Sequence, residues 1–389
     1  MNFAELTNYL DSLKETYGIP SLDCKILKDH QEIYRHQAGY ADYEETQPVT
    51  ENQLYRLYSA TKLTTMTAVL QLAEQNKIDL YCPVAEYLPE FQYMKVADEF
   101  NWDRFPYQIP DSSAKCHLAH RQIRIIDLMT MTAGMHYNTA AKELLEIREK
   151  QYKTASTRDV VRKMAEFPLV AEPGTHWMYG FEHDVLAAVV EAVTGMTYGS
   201  YLRKYILEPA GSEDTGFHLD HELEKRVCAL YMMDPDTKQV VRCTENLREL
   251  FKFTSGYESG GAGLISTVDS YSRVMDALCN GGTTGNGNRV LSEKSVQLMS
   301  TNYLTGAMKQ DFLVSGKRAY GYGLGVQVRM DDEFGKEFGW DGSAGAYILL
   351  NSTHHLCVMY AQHVMRYPVS YSEIHPKIRQ LVYKGLFDK

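Results

Sequence analysis

The 389-residue chain carries 50 acidic against 40 basic side chains, a net charge of −10. A nucleic-acid binder would need a basic face, so that class is set aside. Apolar residues make up 44% and charged residues 23%, ordinary globular values for one large domain or a domain with a second lobe. No run approaches 18 apolar residues, so no transmembrane helix is expected. The first residues, Met1-Asn2-Phe3-Ala4-Glu5-Leu6, lack a basic and then apolar leader pattern. The seven cysteines, at positions 24, 82, 116, 228, 243, 279 and 357, are dispersed and odd in number. With no leader pattern, they read as reduced thiols in a cytoplasmic protein.

In chain order, the spacing of Phe3, Leu6, Leu10 and Leu13 predicts a helix over 2–16. Strands are predicted over Leu22–Leu27 and Ile33–Gln37, joined by a Lys28-Asp29-His30 turn as a hairpin. A helix is predicted from Ser59, its expected N-cap, to about Asn76, with Leu63, Met66, Leu70 and Ala73 on one face. Between about 85 and 245 helical periods dominate, at Ile126–Met131, Ala140–Glu149, Thr157–Glu166 and Asp184–Val193, while 95–120 reads as irregular. A Gly-rich turn, Ser259-Gly260-Gly261-Ala262-Gly263, precedes a predicted helix over Val268–Leu278. Strands are predicted over Gly323–Met330, Gly345–Asn351 and His355–Ala361, and a closing helix over Tyr371–Phe387. Strands at both ends of the chain imply an α+β domain from 1–84 and 246–389, one antiparallel sheet flanked by helices. The segment 85–245 is expected as an inserted all-helical lobe, with the site in the cleft between them.

The chemistry-bearing residues begin with Ser59-Ala60-Thr61-Lys62, a Ser-x-x-Lys. Residues three apart share a helix face, so a hydroxyl and an amine can meet. The N-terminal end of a helix favours developing negative charge. Ser112-Ser113-Ala114-Lys115 repeats the spacing, but in a Pro-flanked loop with no helical pattern after it. A lysine with an unperturbed pKa of about 10.4 is almost wholly protonated at neutral pH, so a base needs a second group to share the proton. Tyr179, after the Glu172-Pro173-Gly174 turn, is the candidate for that group. Phe338-Gly339-Trp340-Asp341-Gly342-Ser343-Ala344-Gly345 lets the backbone run close to a ligand at a strand edge, and the Ser343 N–H is a candidate oxyanion donor. No His-Glu-x-x-His, paired Cys-x-x-Cys or Gly-x-Ser-x-Gly is present. Cys116, His117 and His120 come nearest to a ligand set and read as loop residues without a metal. Met232-Met233 and the many tyrosines read as packing.

Taken in order, these segments resemble the serine β-lactamase and penicillin-binding-protein family, in its class C-type, esterase-like branch. The resemblance spans nearly the whole chain, from Ile19-Pro20 through Ile123–Met135 and Glu172–Leu186 to Tyr320–Gly325. It implies a β-lactamase/transpeptidase-like fold with Ser59 as nucleophile, Lys62 and Tyr179 as the proton-shuttling pair, and the Ser59 and Ser343 amides as the oxyanion hole. It also places Phe181, Trp340, Asp341 and Gly342 at substrate-binding positions. Two of these depart from the lactamase and peptidase pattern. Phe181 stands where those members carry Asn, and Trp340 where they carry Lys or His. Both changes remove polar recognition of a β-lactam or peptide terminus and leave the acyl-transfer residues in place. A small-molecule ester with an apolar acyl or alcohol group is therefore the expected substrate, with no cofactor, metal, nucleic acid or membrane partner. The alternatives are β-lactamase, DD-peptidase or D-aminopeptidase activity, acyl transfer to an alcohol, and a non-catalytic member of the family.

Overall fold

The computed structural model describes all residues except 104–106, 112, 150–153, 315, 317–318, 332 and 388–389. Ser112, which opens the second Ser-x-x-Lys, lies outside the described residues. The N-terminal helix α1 (Ala4–Tyr17) buries Leu6, Leu10 and Leu13. It ends at Gly18, whose φ of 69° lets its N–H reach the Leu13 and Lys14 carbonyls. Strands β1 (Ser21–Lys28) and β2 (Gln31–Gly39) form the expected hairpin. Its two turn residues, Asp29 and His30, both adopt positive φ, as a tight twisted hairpin turn requires.

Five C-terminal strands complete the sheet: β3 (Tyr320–Tyr322), β4 (Gln327–Arg329), β5 (Glu337–Asp341), β6 (Tyr347–Asn351) and β7 (Leu356–Gln362). The spatial order is β3-β4-β5-β6-β7-β1-β2, every pairing antiparallel. The two ends of the chain meet in the register Cys24↔Tyr360. The single strand expected over 323–330 is instead a β3–β4 hairpin. Gly325 at its turn has φ 71°, and a Cβ there would lie 2.4 Å from Met66 Cγ. A straight strand would carry that segment away from Met66.

One face of the sheet is covered by α1 and the closing helix α5 (His375–Phe387), which bury Leu6, Leu10, Ile378 and Val382 against Val358 and Tyr360. The other face meets α2 (Thr61–Glu74) and α4 (Val268–Cys279). Nearly every residue of α2 is buried, because α3 (Glu182–Thr194) packs on its far side. A helix covered all round cannot show a clean amphipathic stripe. Its buried threonines find acceptors: Thr65 Oγ1 donates to the Gly260 carbonyl at 2.6 Å, and Thr67 Oγ1 to the Leu63 carbonyl at 2.9 Å.

The helical middle ends near Ala210, after a run from Tyr198 that the sequence reading did not resolve. Beyond it, Thr215–Gly216 pairs with Ile265–Ser266, which pairs in turn with Tyr55–Arg56. Tyr231–Met233 pairs in parallel with Val364–Met365. Residues 215–242 thus pair with the C-terminal segments Ile265–Ser266 and Val364–Met365. Among the described residues no single helix is long and apolar enough to cross a bilayer; α3 and the 198–210 run pass as a bent pair on composition only. All seven cysteines are free.

The end of β5 is pressed onto the turn that carries Ser59. A Cβ on Gly342 would lie 2.3 Å from the Leu57 carbonyl oxygen and 3.0 Å from Ala346 Cβ. Gly342→Ala is expected to destabilise the protein by about 1–3 kcal/mol, the usual range for overpacking. Urea unfolding checks the stability. Ester turnover should fall further than stability alone explains, since the displaced backbone carries the residues facing Ser59.

Candidate active site

Ser59 lies in a single tight turn, Tyr58–Ala60, and α2 begins only at Thr61. Ser59 is therefore not the N-cap: no side chain caps α2, and the Ser59 hydroxyl is left for other work. The turn is fixed from several sides. Leu57 N–H donates to the Leu264 carbonyl at 2.9 Å, Tyr271 Oη donates to the Ala60 carbonyl at 2.6 Å, and Leu264 N–H donates to Thr61 Oγ1 at 3.1 Å. Tyr58 adopts a φ of 45°, a conformation that L residues hold only when their surroundings impose it. Its ring packs on Phe251 and in a small cluster with Ala344, Leu230 and Met365.

Lys62, one turn on, is fully buried. Its Nζ donates to the Gly261 carbonyl at 2.6 Å and to Tyr137 Oη at 3.1 Å. It also lies 4.7 Å from the centre of the Tyr179 ring and 5.4 Å from that of Tyr137. Among the described residues no carboxylate comes within ion-pair distance of it. The charge is held instead by two oxygens and two aromatic faces. Tyr179 Oη accepts from Trp340 Nε1 at 3.0 Å. Lys62, Tyr179 and Trp340, which lie far apart in sequence, therefore form one cluster beside the Ser59 turn. Neither Lys62 nor Tyr179 is hydrogen-bonded to Ser59 Oγ.

Tyr137 is the member of this cluster that the sequence reading missed. One of 28 tyrosines, it sits in a loop without periodicity. Close packing of its phenol, with Asp184 and Tyr179 nearby, pushes its pKa well above the ordinary value. Tyr137 therefore remains a neutral phenol, and its edge-on packing against Phe181 and Phe251 orients it. The Gly-rich turn has a related task. A Cβ on Gly261 would fall 2.6 Å from Tyr137 Oη and 2.7 Å from Asp184 Oδ2, and one on Gly260 would fall 2.2 Å from the His183 carbonyl oxygen. Only glycine lets this strap bring its carbonyls onto α2. Asp184 anchors it, its Oδ1 accepting from Ser259 Oγ at 2.6 Å and from Tyr257 Oη. Burial raises the Asp184 pKa, opposed by those hydroxyl donors and by Lys62.

The Tyr179 segment runs along residues 131–136. Met178 N–H donates to the Met131 carbonyl at 2.9 Å, and Gly180 passes so close that a Cβ would lie 2.6 Å from the His136 nitrogen. At the other wall, Gly342 N–H donates to the Ala346 carbonyl and Val364 N–H to the Ala344 carbonyl, fixing the loop on both sides of Ser343. Among the described residues the Ser59 and Ser343 N–H groups are donated to no protein acceptor. Two of the substrate-binding positions are placed differently from expectation. Phe181 is fully buried and acts from beneath, against Tyr137, Phe167 and Phe253. Asp341, next to Trp340 on β5, points to the opposite sheet face, its Oδ1 3.3 Å from His375 Nδ1.

A serine turn, a buried lysine and an aromatic pair between a strand of the sheet and a helical body define the serine acyl-transfer class of the β-lactamase/transpeptidase-like fold. The chain belongs to the β-lactamase family, whose model matches residues 6–382. It is 27% identical over 337 residues to Protein Rv1367c of Mycobacterium tuberculosis, covering 83% of this chain and 80% of that protein. It is 28% identical over 277 residues to Esterase EstB of Burkholderia gladioli, covering 65% and 64% of the two chains. Among solved structures, EstCE1, described as a hydrolase with promiscuous acyltransferase activity, superposes with a TM-score of 0.76 over 98% of each chain. Its 22% identity makes that a likeness of fold.

Tyr137→Phe removes the hydroxyl that accepts from Lys62 while keeping the ring packing. A hydrogen bond to a charged group is worth about 1.5–3 kcal/mol, so ester turnover is expected to fall roughly 10- to 100-fold. Steady-state kinetics beside thermal unfolding checks this: kcat/KM should drop, and Tm should fall with it because the buried Lys62 donor loses a partner.

Proposed function

We propose that the protein is a carboxylesterase that acts on small esters through an acyl-enzyme at Ser59. The observation that carries this reading is the bond from Trp340 Nε1 to Tyr179 Oη, at 3.0 Å, with Lys62 over the Tyr179 ring. An indole N–H at the oxygen and an ammonium on the ring both favour Tyr179 as a phenolate, the form that can take a proton. Ser59 Oγ gives its proton to Tyr179 and attacks the ester carbonyl carbon. The oxyanion forms between the Ser59 and Ser343 N–H groups. The C–O bond to the alcohol breaks, and the leaving alkoxide takes the proton back from Tyr179. Water, deprotonated by Tyr179, then attacks the acyl carbonyl carbon; the bond to Ser59 Oγ breaks, Ser59 takes the proton back from Tyr179, and the acid leaves.

Trp340 sets the substrate class. It offers one donor, already engaged with Tyr179, and an apolar face where a basic side chain would bind a carboxylate. An uncharged ester with an apolar acyl or alcohol part suits that wall. The named relative EstB supports the esterase reading. Acyl transfer to an alcohol uses the same residues with the alcohol in the place of water, and the description of EstCE1 supports it as a second reading. The free cysteines support a reducing, cytoplasmic compartment, and the net negative charge supports a small-molecule partner in preference to a polyanion.

Ser59→Ala is expected to reduce p-nitrophenyl butyrate hydrolysis by roughly ten-thousandfold or more, the scale seen on removing a serine nucleophile. Labelling by a fluorophosphonate should vanish with it. Retained turnover or labelling refutes the mechanism. Nitrocefin hydrolysis faster than ester hydrolysis would move the assignment to a β-lactamase. Ester products formed with added alcohols would select acyl transfer.

A further inference from the structure

Away from the Ser59 cluster, a second group of side chains converges on one point. The short strand Cys116–Leu118 pairs antiparallel with Lys95–Ala97, in the register Val96↔His117. His117 Nδ1 lies 2.8 Å from Asp98 Oδ1. Its other ring nitrogen, Nε2, lies 3.0 Å from Glu172 Oε1. His120 Nδ1 approaches the same carboxylate oxygen at 3.1 Å, while the His120 backbone N–H holds Glu172 Oε2 at 2.9 Å. His117, His120 and Glu172 each offer a ligand atom, all within 4.8 Å of one another.

We propose that His117 Nε2, His120 Nδ1 and Glu172 Oε1 form a binding site for a divalent transition-metal ion, zinc foremost. Tetrahedral zinc with bonds of about 2.0–2.1 Å sets neighbouring ligand atoms about 3.3 Å apart. The two measured separations fall a few tenths of an ångström short of that, within reach of small side-chain rotations. Two imidazoles select zinc, nickel or copper over the oxygen-seeking calcium and magnesium. Asp98 supplies the outer partner that metal-bound histidines ordinarily have: it accepts a hydrogen bond from Nδ1–H, which leaves the Nε2 lone pair facing Glu172. Cys116 is on the other side of the strand, its Sγ directed to the Ala114 carbonyl at 3.2 Å. The metal-free expectation, drawn from Cys116, His117 and His120 alone, lacked Glu172, which is remote in sequence.

The ion has a structural task. His120 is 80% exposed, and the site is built on a hairpin and a loop outside the Ser59 cluster. Glu172 opens the turn seven residues before Tyr179, and Gly174 N–H is bonded to the Thr132 carbonyl at 2.6 Å. A bound cation ties that turn to the paired strands Lys95–Ala97 and Cys116–Leu118 and stiffens the approach to Tyr179.

The test uses the full chain, stripped with a chelator and titrated with zinc sulfate by calorimetry, with thermal unfolding in parallel. One saturable zinc site and a rise in Tm are expected for the parent and for Ser59→Ala and Cys116→Ser. His117→Ala and the exposed His120→Ala should each abolish the site. Asp98→Asn should weaken it roughly 10- to 100-fold, as loss of an outer partner does. Absence of saturable binding by the parent overturns the proposal. So does equal zinc binding by the parent and the two histidine variants, and so does a magnesium response equal to that of zinc.

Discussion

The arrangement around Ser59 depends on holding one ammonium group inside the protein without a carboxylate. A buried charge is costly unless its donors find partners. Lys62 meets that demand with the Gly261 carbonyl, the Tyr137 hydroxyl and the faces of two phenols. Each partner comes from a different stretch of chain, so the requirement reaches outward. The Gly261 carbonyl arrives only because residues 260 and 261 have no side chain, and Asp184 holds the strap in place. Pairing Lys62 directly with a carboxylate would have stabilised the ammonium and tied its donors to that partner. Carbonyl and phenol ligands leave its charge available to the Tyr179 ring.

Tyr179 is poised by two interactions that the sheet supplies from the opposite wall. Alternation along β5 sends Trp340 toward the helical body and Asp341 toward α5. The indole N–H reaches the Tyr179 oxygen, and the Tyr179 ring in turn packs against Trp177 and Trp340. In family members with a basic residue at this position the wall is cationic and suited to a carboxylate. Here it is aromatic, with its one donor already occupied. Under the proposed mechanism the same side chain both positions Tyr179 and lines the substrate wall, which favours uncharged esters.

Much of the frame was legible because it follows local rules. The α1 stripe, the β1–β2 hairpin and the Ser59/Lys62 spacing each express a period or a turn chemistry within a few residues. Where tertiary contacts decided, the sequence was silent or misleading. Gly325, at φ 71°, turns the segment expected as one strand into the β3–β4 hairpin, at a point where any Cβ would clash with Met66 and His183. The helical start at Ser59 fails because the Leu264, Tyr271 and Gly342 contacts impose a tight turn first. Phe181 looked like a substrate contact by position, but the aromatic core beneath Tyr137 claims it. Tyr137 itself carried no signal: its role exists only where α2, the Gly-rich strap and the 131–137 loop meet.

The same convergence explains the strained residue before Ser59. A left-handed tyrosine costs on the order of 1–3 kcal/mol and persists only where its surroundings over-determine it. Tyr58 meets that condition. Residues Tyr55–Arg56 before it are paired to Ile265–Ser266, and Ala60 after it is bonded to Tyr271 and Leu57. Its ring is packed against Phe251, from the segment that follows the middle of the chain, and grouped with Ala344, from the loop of Ser343. Relaxing Tyr58 to an ordinary conformation would rotate the peptide that carries the Ser59 N–H. The Ser343 loop and the Ser59 turn are therefore coupled through one side chain as well as through the Gly342 backbone. The Ser59 and Ser343 N–H groups, donated to no protein acceptor among the described residues, lie on these two coupled segments.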